Sequence, residues 1–308
     1  MVEFLAAAVV AGTPLLFATL GELITEKSGS LNLGVEGMML MGAVMGFTGG
    51  YVTGSPYVAL LAALLAGGAG AFIFAVITVS LRANQVVTGL TLTIFGTGFA
   101  SFVGENKIGF AVPDAIKGFF AERNIPLLGD IPFIGPVFFK QDVFVYLGYI
   151  CVIFAAIYLN RTRIGLNCRA VGESAGSADA SGINVTRYRY ANIIAGGALC
   201  GLGGAYLALV TVPIWQADVV TGRGWIAVAL VIFASWKPSK ALVGAYLFGA
   251  LNILGLRLQS VGIHISQYLV DMIPYVATIL IVIISTHKNK KEDKGPADLS
   301  KSYFREER

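Results

Sequence analysis

The sequence predicts an all-α polytopic membrane protein with about nine crossings, within bounds of roughly eight to ten. Three observations lead there. The chain is 56% hydrophobic and 13% charged, with a mean hydropathy of +0.75, which leaves too little polar surface for a soluble globule. Charge-free stretches recur along nearly its whole length, and lysine and arginine gather in a few loops between them.

The first run, Phe4 to Gly21, has no basic segment before it and no Ala-x-Ala-like site clearly after it, so it reads as a retained helix and not a signal peptide. Further runs follow at Gly37 to Leu81, Ala83 to Gly104, Val143 to Asn160, Tyr190 to Ala217, Gly224 to Trp236, Ala241 to Leu256, Leu258 to Val270 and Met272 to Thr286. Most suffice as crossings, which need roughly 20 apolar residues each. Gly224 to Trp236 is short, about 20 Å as a helix. It is kept as a crossing that starts near Val219, because a re-entrant segment would move Lys237, Lys240 and the lysine-rich tail to the other side.

Five basic residues between Arg161 and Arg189 outnumber Glu173 and Asp179, and basic residues accumulate again from Lys288 onward. The positive-inside tendency makes both regions cytoplasmic and Arg82 a short cytoplasmic loop, with the N-terminus outside and the C-terminus in the cytoplasm. The sign-balanced stretch 105–141, rich in Phe, Gly and Pro, becomes an extracytoplasmic loop with a surface helix. The membrane domain is thus residues 1–286. The tail, 287–308, mixes seven basic with five acidic residues and reads as a disordered end that touches anionic lipid.

Cys151 and Cys200 sit in apolar runs and Cys168 in a basic loop, which argues against a disulfide framework. His264 and His287 are far apart, and no metal-ligand cluster is visible. A net charge of +4 is modest, so the charges describe topology and not nucleic-acid binding.

Glu36 stands at the mouth of the Gly37 to Leu81 run, among glycines. A carboxylate at the centre of a bilayer costs about 2.5–3.5 kcal/mol even on lenient scales, so an acid there is a functional-site candidate. Gly-Val-Glu-Gly near Gly34 has a loose counterpart in Gly-Arg-Gly-Trp near Gly222, and the two run in opposite directions in this topology. Glycine-interrupted segments at corresponding places in two halves suggest an inverted repeat around a central path. Glycine is common in membrane helices, so likeness alone leaves coincidence open. The loop 161–189 holds a small, helix-compatible segment, Glu173 to Ser181, flanked by Gly172 and Gly182, that suits a groove on a soluble partner or else a solvated loop.

The Asn-Leu-Gly-Val-Glu-Gly-Met-Met-Leu-Met-Gly-Ala run from Asn32, the Arg-Ala-Val-Gly-Glu and Ala-Ser-Gly-Ile-Asn-Val pieces of the 161–189 loop, and the Gly-Arg-Gly-Trp-Ile-Ala-Val-Ala-Leu-Val-Ile-Phe-Ala-Ser-Trp run from Gly222 together resemble one family. It is the permease family of bacterial ATP-binding-cassette importers that includes ribose-type sugar and branched-chain amino acid permeases, with the nucleoside-importer branch the nearest match, over roughly Gly21 to Thr286. The resemblance implies an importer transmembrane domain whose coupling helix, about Gly172 to Gly182, meets a cytoplasmic ATPase through Gly172, Glu173, Ala178, Ser181 and Gly182. It also implies a second, homologous permease subunit in a heterodimer, an extracytoplasmic substrate-binding lipoprotein, and location in the bacterial cell membrane. ATP and magnesium would sit on the ATPase. This chain has no Gly-x-x-x-x-Gly-Lys-Ser/Thr loop, and no cofactor is expected on it.

For the substrate path the candidates are Asn32, Glu36, Asn84, Gln85, Thr88, Thr91, Trp215, Asp218, Arg223 and Trp225. Amides and hydroxyls can pair with ribose hydroxyls and base edges, and an indole offers a stacking face. Each has a duller alternative: Thr88 and Thr91 bonding their own helix, the tryptophans anchoring at the interface, Asp218 pairing with Arg223, Glu36 compensating a helix dipole. Ribose-type sugars and branched-chain amino acids are alternative substrates. A secondary transporter with Glu36, Asp218 and Asp271 as coupling acids is a rival reading. An intramembrane enzyme is disfavoured, since the sequence offers no nucleophile and base pair in plausible register.

Overall fold

The structure, a computed structural model, describes residues 2–260, scattered positions between 269 and 283, and residues 295–306. The helices are α1 (Val2–Lys27), α2 (Val35–Thr53), α3 (Pro56–Ala75), α4 (Gln85–Gly104), α5 (Asp114–Phe119), α6 (Val143–Arg161), α7 (Arg163–Glu173), α8 (Ala175–Ala180), α9 (Val185–Tyr206), α10 (Arg223–Phe233) and α11 (Pro238–Ser260). One-turn π segments, Val76–Ser80 and Leu207–Thr211, continue α3 and α9. The expected all-α membrane architecture is the observed one. Five helical spans among the described residues are long and apolar enough to cross a bilayer: Val2–Lys27, Pro56–Ser80, Gln85–Lys107, Val143–Arg161 and Val185–Thr211. The helices α2 and α11, of 19 and 23 residues, also have spanning length. The runs expected at Leu258 to Val270 and Met272 to Thr286 fall largely outside the described residues, as do His264, Asp271 and His287.

One expected crossing is helical over only part of its length. The segment drawn from Val219 becomes helical only at Arg223, and α10 has 11 residues, about 16 Å at the α-helical rise. That is half the hydrocarbon thickness. The Thr19 hydroxyl reaches the Ala227 carbonyl at 3.5 Å, and the Trp236 indole N–H donates to Glu26 at 2.5 Å, so α10 lies beside the second half of α1 only. The other half of its path is irregular backbone.

Helix α9 is the centre of the bundle and packs against α1, α2 and α3. Lipid supplies no hydrophobic drive between helices, so close approach and dispersion must hold them together, and small residues permit that approach. At the α2–α9 crossing a Cβ on Gly42 would lie 2.3 Å from the Gly201 Cα. The gaps beside this seam are filled by Phe17, Phe47, Phe74 and Phe144, all buried.

Between α4 and α6 the chain forms α5, a two-stranded ladder of β1 (Arg123–Asn124) and β2 (Lys140–Gln141), and an Ala111–Ile214 bridge to the segment after α9. The bundle's other end gathers the basic elements. Lys27 closes α1 there, Arg82 covers the Phe304 ring at 3.5 Å, Arg305 pairs with Asp179 at 3.0 Å, and a Cβ on Gly295 would touch the Trp236 ring at 2.7 Å. Residues 295–306 therefore depart from the disordered tail that their composition suggests. Leu299 and Tyr303 bury apolar surface that composition alone discounts.

Replacing Gly42 by Val should overpack the α2–α9 seam and cost about 1–3 kcal/mol. The thermal-unfolding midpoint of the detergent-purified protein should fall. Gly98→Val, where an added Cβ meets nothing within 4 Å, should leave the midpoint near wild type.

Candidate functional site

Two irregular stretches, 28–34 before α2 and 217–222 before α10, end at one point. Glu36 lies in the first turn of α2, but its side chain serves the other helix: Oε1 accepts from the Gly222 N–H at 2.7 Å and Oε2 from the Gly224 N–H at 2.6 Å. The start of α10 has no side-chain cap of its own. The buried Glu36 carboxylate supplies it, meeting free amides and the positive end of the helix dipole. Gly222 is in the left-handed region at φ +76°, and a Cβ on Gly224 would lie 2.5 Å from the Glu36 backbone. Both glycines are geometric requirements of this junction.

Arg223 turns back to donate to the Val219 and Val220 carbonyls, each at 3.1 Å. It closes the 219–223 turn and forms no ion pair with Asp218, which is exposed. The 28–34 stretch is held from both sides. Glu22 accepts from the Asn32 N–H at 2.8 Å, Asn32 Oδ1 accepts from the Gly34 N–H at 2.9 Å, Gln85 Oε1 accepts from the Leu31 N–H at 2.7 Å, and Thr93 donates to the Leu33 carbonyl at 3.1 Å.

The ten residues expected on the path thus divide. Asn32, Glu36 and Gln85 are ties between separate elements, and Arg223 closes its own turn. Asn84 caps α4 by accepting from the Val87 N–H at 3.0 Å. Thr88 and Thr91 donate to carbonyls four residues back, at 2.8 and 2.9 Å, while both line a groove of about 330 Å³ with Val87 and Phe95. Trp215 is buried against Phe47 and Gly104 and forms a wall of a cavity of about 310 Å³, with Ser101, Glu105 and Ala217. Trp225 is 37% exposed.

The sequence reading passed over Glu22 and Glu26. They are 0% and 1% exposed, one helical turn apart, and they join α1 to Asn32 and Trp236. The charge-free run ends at Gly21, one residue before Glu22. The signal available was Leu23-Ile24 between the acids, which continues the apolar pattern toward Lys27.

The expected coupling segment is two helices and not one. Gly172 and Glu173 finish α7. Ser174 breaks the chain and accepts from the Ser177 N–H at 3.3 Å, and α8 covers only Ala175–Ala180. Ser181 donates to the Ser177 carbonyl at 2.9 Å, and Gly182, at φ +84°, ends the turn. Ala175 and Ala178 pack inward with Val171, Val185 and Tyr303, which leaves Gly176, Ser177, Ser181 and Gly182 outward. Burial pushes the Cys168 thiol of α7 up to about 11, so it stays protonated and unreactive at neutral pH. For Asp298 burial raises the carboxyl, but the Ala175 amide and the Lys301 ammonium outweigh it, and the pKa falls below the ordinary value. Its contribution is complete at neutral pH and is lost as pH falls through the lowered value.

A bundle of spanning helices around α9, with the short helix α10 capped inside it and a two-helix projection at one end, is the architecture of a multi-pass membrane protein. The chain belongs to the family described as branched-chain amino acid transport system permease component, which matches residues 4–283. It is similar to a candidate glucose ABC transporter permease, TsgC13 of Haloferax volcanii, at 38% identity over 97% of each chain. It is also similar to the guanosine ABC transporter permease NupQ of Bacillus subtilis, at 34% over 89% of each chain. The nucleoside ABC transporter permease NupC of Lactococcus lactis is 34% identical over 88% of each. No solved structure matches.

Glu36→Gln places an amide nitrogen against an N–H donor and should cost about 1.5–3 kcal/mol, the range for hydrogen bonds to a charged group. Glu36→Ala should lower the thermal midpoint further. Wild-type midpoints for both variants would show that the carboxylate does not hold α10.

Proposed function

We propose that this permease imports nucleosides, driven by ATP hydrolysed on a separate cytoplasmic chain. The observation that carries the substrate is the 34% identity, along nearly nine-tenths of each chain, to the two relatives named for guanosine and nucleoside transport. The local chemistry agrees. The cavity beside Trp215 and the groove beside Thr91 offer an indole, phenyl rings and hydroxyls, with Glu105 as the one ionisable group lining either. A nucleotide or charged amino acid would bring its own charge into the membrane, and leaving it unpaired there costs several kcal/mol. A neutral nucleoside needs a few hydrogen bonds and a flat apolar surface. Glucose, named for the Haloferax relative, is the second reading and meets the same polarity requirement.

In this reading the candidate residues that face outward or line a cavity, Asn84, Thr88, Thr91, Trp215, Asp218 and Trp225, contribute to the path. Asn32, Glu36, Gln85 and Arg223 hold its walls, and Asn84 and Thr88 fix the start of α4. A second permease subunit completes the path, an extracytoplasmic lipoprotein delivers substrate, and α8 docks on the ATPase. The gathering of Lys27, Arg82, the 161–189 arginines and the C-terminal segment at one end supports a cytoplasmic face there by the positive-inside tendency. That leaves 105–141 and the N-terminus outside.

Cells expressing the full complex should take up labelled guanosine or uridine in an ATP-dependent manner. Unlabelled nucleosides should compete at least ten-fold better than glucose, ribose, leucine or nucleoside monophosphates. Competition by glucose alone would move the substrate to the second reading. For orientation, single cysteines are placed in a background lacking Cys151, Cys168 and Cys200. One at Ala115 should react with an impermeant thiol reagent on intact cells, and one at Ser302 should not. Labelling at Ser302 alone would invert the topology.

A further inference from the structure

The C-terminal segment meets the break between α7 and α8. The Asp298 N–H donates to the Gly172 carbonyl at 3.0 Å, satisfying the end of α7, while the Asp298 carboxylate accepts from the Ala175 N–H at 2.9 Å, at the start of α8. The same turn continues into the bundle. The Ser300 N–H donates to the Gly29 carbonyl at 3.1 Å, just past α1, and Arg189 of α9 donates to the Lys301 carbonyl at 2.9 Å. Arg189 is 2% exposed, an arginine taken out of water to reach a main-chain carbonyl. Lys301 pairs with Asp298 at 3.1 Å, and further on Arg305 pairs with Asp179 at the far end of α8. The helices α7 and α8 and the distant α1 and α9 are thereby joined through residues 298–301 of the tail.

We propose that residues 298–301 tie α8 to α1 and α9, and that Asp298 is a positioning residue for ATPase coupling. The inference rests on the reading of α8 as the ATPase-docking helix. The six-residue α8 is too short to be stable by itself, since isolated helices below about 12–15 residues are marginal. Its own inward contacts are alanines, with little area to bury. A push on its outward face would rotate it about the Glu173–Ser174 break unless something spans that break. Asp298 spans it with its backbone on one side and its carboxylate on the other. The adjoining bonds to Gly29 and Arg189 route the load into α1, whose end adjoins the irregular stretch before α2, and into the central helix α9.

The test uses the complete complex in proteoliposomes, with its binding protein and guanosine. Four forms are compared: Asp298→Ala, Asp298→Asn, deletion of residues 295–308, and Gly176→Trp, whose side chain would extend from α8 where nothing lies within 4 Å. Two quantities are read, the ATPase subunit retained per permease on purification and the ratio of stimulated to basal ATP hydrolysis. Asp298→Ala and the deletion should retain the ATPase but lower the ratio at least three-fold. Asp298→Asn, which keeps an acceptor oxygen, should restore more than half of it. Gly176→Trp should lose the ATPase itself. Should the deletion fail to reach the membrane, Asp298→Ala, which leaves every backbone bond possible, decides. A wild-type ratio in Asp298→Ala alongside ATPase loss in Gly176→Trp would overturn the tie and leave the docking reading intact. Full ATPase retention in Gly176→Trp would sink the docking reading, and the tie with it.

Discussion

The carboxylate of Glu36 against the first amides of α10 is the contact on which the interior depends. A helix that starts partway across a bilayer exposes amides that water cannot reach, and each unsatisfied group costs several kcal/mol. A carboxylate taken into the same place is costly for the complementary reason. Setting one against the other resolves both with two short hydrogen bonds. The left-handed backbone at 222 and the close approach of the Glu36 backbone at 224 both call for glycine.

The same requirement explains the other buried polar groups. Backbone between α1 and α2 cannot bond to itself as a helix does, and Glu22, Asn32, Gln85 and Thr93 provide its partners. These are the residue types that would also recognise a hydroxylated substrate. In a membrane protein the two uses compete, because irregular backbone is tolerated only where protein or a watery cavity satisfies it. The junction between α2 and α10 spends most of its polar side chains on its own backbone. Rings and hydroxyls, around Trp215 and Thr91, line the cavity and the groove instead.

At the opposite extreme of burial, the α7–α8 projection is held mainly by hydrogen bonds. Ala175 and Ala178 contribute little area, yet Ser174, Gly182 and the C-terminal turn leave few backbone groups unpaired. The arginines that gather at this end do structural work: Arg189 holds the tail, and Arg305 holds α8.

The sequence by itself determined the class and the helical architecture, because composition and uninterrupted apolar runs are set by the thickness of the bilayer and need no tertiary contact to be read. It also marked Glu36 and the two glycine-rich segments as special, since a charge or a run of glycines stands out against an apolar background. Only the tertiary structure decided what they do. Glu36 caps a helix 186 residues away from its own position, and no local rule links a carboxylate to amides so distant in sequence. The same holds for the end of α1, where Glu22 and Glu26 lie beyond the charge-free run and find partners in Asn32 and Trp236. It holds as well for the tail, whose charged composition suits disorder until Gly172, Ala175 and Arg189 are brought close enough to bind it. Bilayer-scale properties are encoded residue by residue, whereas the polar partners inside the bundle are chosen by whichever elements the packing brings together.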